Sequence, residues 1–194
     1  ALGANTSGHR NTALGQDSLQ ANTTGAENTA VGNSALAQNT TASYNTAVGG
    51  NSLSVCTTGE KNVAIGYRAL QDSTTARYQV AIGYEALANQ TTAQSGAVAI
   101  GHQCLYTSNG GDSYSYNTAV GTACMYSLTN GRANSALGDS ALYSMGGAER
   151  NTAVGQGAGG FINEGNDNLM LGYNSGKSSS PSGQITTGSG NVCL

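Results

Sequence analysis

Asn28-Thr29-Ala30-Val31-Gly32, then Asn45-Thr46-Ala47-Val48-Gly49, then Asn62-Val63-Ala64-Ile65-Gly66: one five-residue phrase returns at an interval of 17 residues. Its closing glycine recurs as Gly15, Gly32, Gly49, Gly66, Gly83, Gly101, Gly121, Gly138, Gly155 and Gly172. An eleventh copy, Asn191-Val192-Cys193-Leu194, stops one residue short of its glycine. A fixed short period describes stacked units that share a core only with their neighbours. The expected fold is therefore all-β, a parallel β-solenoid with 17-residue coils, running as one domain over residues 1–194. Leu2 to Gly8 aligns with Leu19 to Gly25, so the chain enters and leaves in mid-repeat, as a fragment of a longer protein would.

Composition narrows the function. Only 9% of the residues are charged and the net charge is −3, which leaves no basic stripe for phosphates; no nucleic acid partner is expected. No apolar run is long enough to span a bilayer, so no membrane insertion is expected either. High Gly, Ser, Thr and Asn with few charges also describes disordered tracts. A disordered chain has no reason to keep aliphatic residues at one phase. The four cysteines fall at unrelated repeat positions without a C-x-x-C spacing, and with two histidines a zinc site is not expected. Cys104 and Cys124 fall on adjacent rungs but are read as free thiols, since stacked parallel strands hold side chains poorly for a bridge.

Numbering the repeat from Asn11, position four is Leu14, then Val31, Val48, Ile65, Ile82, Ile100, Val120, Leu137, Val154 and Leu171. Position two is Thr12, Thr29, Thr46, Val63, Val80, Val98 and similar residues. These two positions share one strand face, and position three takes the other. The aliphatic face is expected to point into the coil. Position three is almost always alanine, which implies close packing on the opposite face as well. Ala13, Ala30, Ala47, Ala64, Ala81 and Ala119 are accordingly expected at an interface between subunits.

After the glycine, a small residue and Leu or Met recur, from Ser18-Leu19 to Ala141-Leu142, as a second aliphatic ladder. Each rung then buries two or three aliphatic side chains, worth ~1.5–3 kcal/mol each. That is small against ~1–2 kcal/mol of backbone entropy per residue, so stacking and oligomerisation must supply the remainder. The corner residue changes along the chain, from Asn5, Asn22 and Asn39 to Leu128, Met145, Ile162 and Ile185, while the second-strand Leu gives way to Gly159 and Gly176. The expectation is that this corner points inward in the C-terminal half, with independent drift at a half-buried site as the alternative.

The phrase in Asn62-Val63-Ala64-Ile65-Gly66 resembles the repeat of trimeric autotransporter adhesin heads. The longer unit, N-T-A-V-G-x-x-A-L-x-x-N-T-T-G, is still more similar to the shaft repeats of bacteriophage tail fibres of the marine and cyanobacterial phage type. Gly172 to Lys177 and Gly183 to Gly188 resemble segments that precede an intramolecular chaperone in such fibres. The resemblance implies a left-handed β-roll, a homotrimer, a virion location and a role in host attachment. Its alternative is an adhesin head on a bacterial cell surface.

Two interruptions of the period are candidate recognition loops. One, near 107–116, adds three residues and carries Asp112, Tyr114 and Tyr116; the other, near 177–183, adds six and contains Pro181. Beside the first, Tyr106, Tyr126 and Tyr143 occupy one repeat position on consecutive rungs. Stacked tyrosines suit the faces of sugars, so a host cell-surface receptor, such as a glycan, is one expected partner. Padding of a subunit seam is the other reading. Thr23-Thr24, Thr40-Thr41, Thr57-Thr58, Thr74-Thr75 and Thr91-Thr92 form a regular array that could bind ice, although corner threonines usually bond their own turns. Gly155 to Gly160 superficially matches a dinucleotide fingerprint, but no helix can follow it within one repeat. His9 and His102 stand at unrelated corners without a Ser or Asp constellation. No catalytic residue, no metal and no cofactor is expected, and the chain is read as a structural and attachment protein rather than an enzyme.

Overall fold

The computed structural model describes residues 1–90, 95–108, 115–176 and 187–194. The chain winds as a parallel β-solenoid. Its strands are β1 (Thr12–Leu14), β2 (Thr29–Val31), β3 (Thr46–Val48), β4 (Val63–Ile65), β5 (Val80–Ile82), β6 (Val98–Ile100), β7 (Thr107–Ser108), β8 (Thr118–Val120), β9 (Ser127–Leu128), β10 (Ser135–Leu137), β11 (Ser144–Met145), β12 (Thr152–Val154), β13 (Phe161–Ile162), β14 (Leu169–Leu171) and β15 (Val192–Cys193). Eleven of them pair in sequence order as one parallel sheet, and β7, β9, β11 and β13 form a second. Register follows the repeat, with Thr12 opposite Thr29, Ala13 opposite Ala30 and Leu14 opposite Val31. Register is kept where the interval changes: Val80 pairs with Val98, and Val98 with Thr118.

Which face of the main sheet points inward differs from the sequence expectation. Ala30, Ala47, Ala64, Ala81, Ala99, Ala119 and Ala153 are fully buried inside the coil, and Ala13 on the first rung packs against the same core. Position four points outward: Leu14 is 66% exposed, Leu137 53% and Ile65 38%. The alanines therefore line the interior of each coil and are not a surface that a second chain can reach. The cause is space. The interior is already occupied by the second-strand ladder Leu19, Leu36, Leu53, Leu70, Leu87, Leu105, Met125 and Leu142, all fully buried. Only a methyl fits opposite them.

That leucine ladder stands on left-handed backbone, with φ of 48° at Leu19, 50° at Leu36 and 52° at Leu70. The residues two places after the closing glycine, from Asp17 to Asn174, share this conformation, as do the residues just before each repeat Asn, such as Glu27, Tyr44 and Lys61. No Val, Ile or Thr occurs at any of these positions, because a β-branched side chain at positive φ clashes with its own backbone. This explains Leu or Met here and Val or Ile in the strands. The closing glycines have φ between 114° and 140°, and a Cβ on Gly32 would lie 2.6 Å from the Gly49 carbonyl oxygen. Glycine at this position serves both the dihedral angle and the close approach of rungs.

A polar spine runs beside the core. The Asn45 side-chain amide donates to the Gly59 carbonyl at 2.8 Å, and its oxygen accepts from the backbone N–H and side chain of Asn62 at 3.0 and 3.1 Å. The pattern repeats through Asn117, Asn134, Asn151 and Asn168. Each Asn thus closes its own coil and bonds the next. The corner asparagines form a shorter ladder of their own, with Asn39 donating to Asn22 at 2.8 Å.

As expected, the C-terminal corner points inward: Leu128, Met145 and Ile162 are at most 2% exposed. Where the corner is Asn, the chain makes a turn; where it is aliphatic, the second sheet forms. Gly159 leaves a vacancy in the leucine ladder that Met170 fills, its Sδ lying 2.7 Å from where a Gly159 Cβ would stand. Ile185, Pro181 and the second insertion lie outside the described residues. All four cysteines are free, with Cys56, Cys104 and Cys124 buried.

Candidate functional site

The left-handed Leu105, Met125 and Leu142 direct the chain outward, so that the following residue emerges at the coil surface before β7, β9 and β11. Those residues are Tyr106, Tyr126 and Tyr143. Their rings stack at 5.2 Å and 10° between the first two, then 5.3 Å and 5° between the second pair. Phe161 ends the ladder edge-on to Tyr143 at 6.3 Å. All three tyrosines are half-buried. Burial, then the neighbouring Tyr106 and Tyr143, raise the Tyr126 phenol above its ordinary range, which keeps it a neutral hydrogen-bonding group.

Of the residues singled out in the first insertion, Tyr116 alone is described. Tyr116 is 61% exposed on the corner preceding β8, where its ring lies against Gly96. Tyr114 and Asp112 lie outside the described residues, as do Thr91 and Thr92 of the threonine array. In the described part of that array, Thr23, Thr40 and Thr57 each donate their hydroxyl to a carbonyl of the next rung. These hydroxyls are committed to the coil, in line with the corner reading.

A second aromatic ladder escaped the sequence reading. Tyr67 stacks on Tyr84 at 5.4 Å, and Tyr84 on His102 at 5.4 Å. All three follow the closing glycine directly, and that shared phase was the available signal. Arg68 lies over the Tyr67 ring at 5.3 Å and reaches Glu85 at 3.5 Å. The Glu85 carboxylate also accepts from Gln103 at 2.9 Å. Next to these residues, just before the ladder of Tyr106 begins, a polar hollow of about 320 Å³ opens among Arg68, Asp72, Glu85, Ala88, Asn89 and Tyr106.

The outward face of the main sheet is a second candidate surface. It presents position four as a continuous aliphatic stripe from Leu14 to Leu171, flanked by the Thr and Val residues of position two. A shallow, almost wholly apolar hollow of about 230 Å³ lies on it between Val120, Leu137 and Val154, where Ser135 is the smallest residue of its row.

Among the described residues, no group of three His, Cys, Asp or Glu side chains is placed to hold a metal ion, and no helix is long and apolar enough to cross a membrane. Gly155 to Gly160 is an ordinary rung turn leading into β13. Comparison with family models, with curated proteins and with solved structures finds no match to this chain.

Proposed function

We propose that this chain is a rod-like segment of a bacteriophage tail fibre, assembled as a homotrimer, that spaces the fibre and contributes to host attachment. The observation that carries the reading is the exposed aliphatic stripe on an eleven-stranded parallel sheet. Eleven strands at ~4.8 Å span roughly 50 Å. With strands about 10 Å long, the face covers on the order of 500 Å², comparable with the largest apolar patch of a typical monomer, and here the aliphatic residues are drawn out into one unbroken row. An aliphatic row along the full length of a rod is suited to parallel copies of the same rod. The resemblance of the repeat to fibre shafts favours three copies, a left-handed roll and a virion location. The coil's thin interior supports the same reading, since a ladder of Ala and Leu leaves much of its apolar surface outside.

Attachment is assigned to the aromatic edge, which lies on the other side of the glycine turn from the stripe. Sedimentation tests the assembly. The chain should sediment as a trimer, while Ile65→Lys/Ile82→Lys/Ile100→Lys should sediment as a folded monomer; a folded monomeric parent would sink the proposal. Thermal hysteresis in the same sample would assign the solenoid to ice binding instead. Attachment is read separately, as retention of the labelled trimer on bacterial cells.

A further inference from the structure

The tyrosine ladder stops abruptly, and the place where it stops has the shape of a missing ring. Tyr106, Tyr126 and Tyr143 occupy the same repeat position on successive rungs, each ring covering the next. One face of Tyr106 lies on Tyr126. On the other side, the adjoining rung carries Ala88 at that position, and the rung beyond carries Gln71. Asn89 pairs with Thr107, and its N–H donates to the Tyr106 carbonyl at 2.9 Å, so Ala88 is the direct neighbour of Tyr106. A methyl thus stands where the ladder would place a ring.

The walls of this gap are set by the repeat as well. Arg68 and Glu85, one rung apart, bound it on the side of the glycine turn. Asp72 and Asn89, likewise one rung apart, bound it on the other side. Gln71 and Tyr106 close its two ends, and all six residues with Ala88 line one hollow. Its volume of about 320 Å³ lies at the small end of the ~300–1,000 Å³ typical of ligand sites. Polar groups make up most of its surface; the Tyr106 ring closes one end, and Ala88, only 5% exposed, lies at its floor. Glu85 is only 8% exposed and is held by Arg68 and Gln103, which fixes one acceptor wall in place.

We propose that this gap binds a single neutral pyranose ring, stacked on Tyr106 in the position of the absent aromatic rung. A pyranose has the required chemistry, with an apolar C–H face for the tyrosine and equatorial hydroxyls at its rim. Those hydroxyls can donate to Asp72 and Glu85 and accept from Arg68, Asn89 and Gln71. The charge balance decides the class. Two carboxylates against one guanidinium leave the lining net negative, which disfavours uronic and sialic acids and admits neutral hexoses or acetamido sugars. The inference rests on the attachment reading above and narrows it to one subsite.

Saturation-transfer NMR on the full chain tests it, using the methyl pyranosides of glucose, galactose, mannose and N-acetylglucosamine beside glucuronic and sialic acid. At least one neutral glycoside should receive transfer at millimolar concentration, concentrated on the C–H protons of one ring face. Ala88→Tyr, which supplies the missing ring, should abolish it, and Tyr106→Ala should weaken binding roughly tenfold or more. Glu85→Gln should weaken binding with the fold unchanged by circular dichroism, giving a second variant should Ala88→Tyr misfold. Tyr143→Ala, two rungs away, should bind normally. Absence of transfer from every neutral glycoside, preference for the acidic sugars, or transfer that survives Ala88→Tyr would each overturn the proposal. Cell retention separates the two claims: retention unchanged in Ala88→Tyr removes this subsite and keeps attachment, whereas a parent chain that binds no cells removes attachment itself.

Discussion

At the scale of single residues, backbone conformation explains choices that hydrophobicity does not. Leu70 is fully buried at a φ of 52°, and its equivalents are Leu or Met wherever the ladder is occupied. Leu70→Ile keeps the volume but places a branched Cβ on left-handed backbone, and should cost about 2–3 kcal/mol. Leu70→Met, which copies Met125, should cost under about 1.5 kcal/mol. Urea unfolding of both variants checks this, and equal losses would refute the backbone argument. Burial likewise governs the thiols. It pushes Cys56 up to about 11, with the Gly59 backbone acting in the opposite sense, and contact with Cys124 together with burial pushes Cys104 upward. The unfolded chain surrenders the Cys56 proton near 9.0, while the native chain holds it to about 11. The native state is therefore unaffected below that window and loses stability as pH rises through it. Cys56→Ser should flatten the alkaline slope of the melting temperature; an unchanged slope would count against burial as its cause.

At the scale of the element, the coil is a closed cross-section in which one side chain can be traded for another across the interior. The rung that bears β13 lacks its ladder leucine at Gly159, and Met170 of β14 replaces an alanine to fill the space. Gly159 has a φ of 60°, which leucine adopts on the earlier rungs, so only the interior volume forbids it. Gly159→Leu alone should destabilise by about 2–4 kcal/mol through overpacking against Leu142 and Met170. Adding Met170→Ala should recover most of that loss, because the pair restores the arrangement of the preceding coils. Additive losses in thermal unfolding would refute the exchange. The compensation was partly legible in the chain, since both departures from the repeat are visible there. What the sequence did not reveal was that these two positions face each other, because linear phase says nothing about distances across a coil.

At the scale of the whole molecule, the rod is a stack of nearly equivalent units whose stability is a sum over neighbours. Deleting residues 33–49, one full coil, should leave a folded rod shorter by ~4.8 Å, with a melting temperature only slightly lowered. Deleting 33–40, half a coil, removes the register of every ladder at that rung and should unfold the N-terminal part. Circular dichroism and small-angle scattering distinguish the outcomes, and a folded half-coil deletion would contradict the stacking model. Assembly belongs to this scale too. The variants that test it must alter Ile65, Ile82 and Ile100 on the outward stripe, because Ala81→Leu or Ala119→Leu would break the coil from within before any partner was met.

The repeat by itself determined the parallel solenoid, the 17-residue coil, the alternation of two faces and the stacking of Tyr106, Tyr126 and Tyr143. It did so because identical residues at a fixed interval have one way to align. Only the tertiary structure decided which face is inside. A period of two divides a strand into two faces without giving either a sign, and the usual rule that larger aliphatic residues are buried fails on this strand because the leucine ladder leaves room for only a methyl opposite it. The same holds for the second aromatic ladder and the gap at Ala88. Their components are spaced by whole coils, and it is the winding of the chain that turns those separations into side-by-side contact.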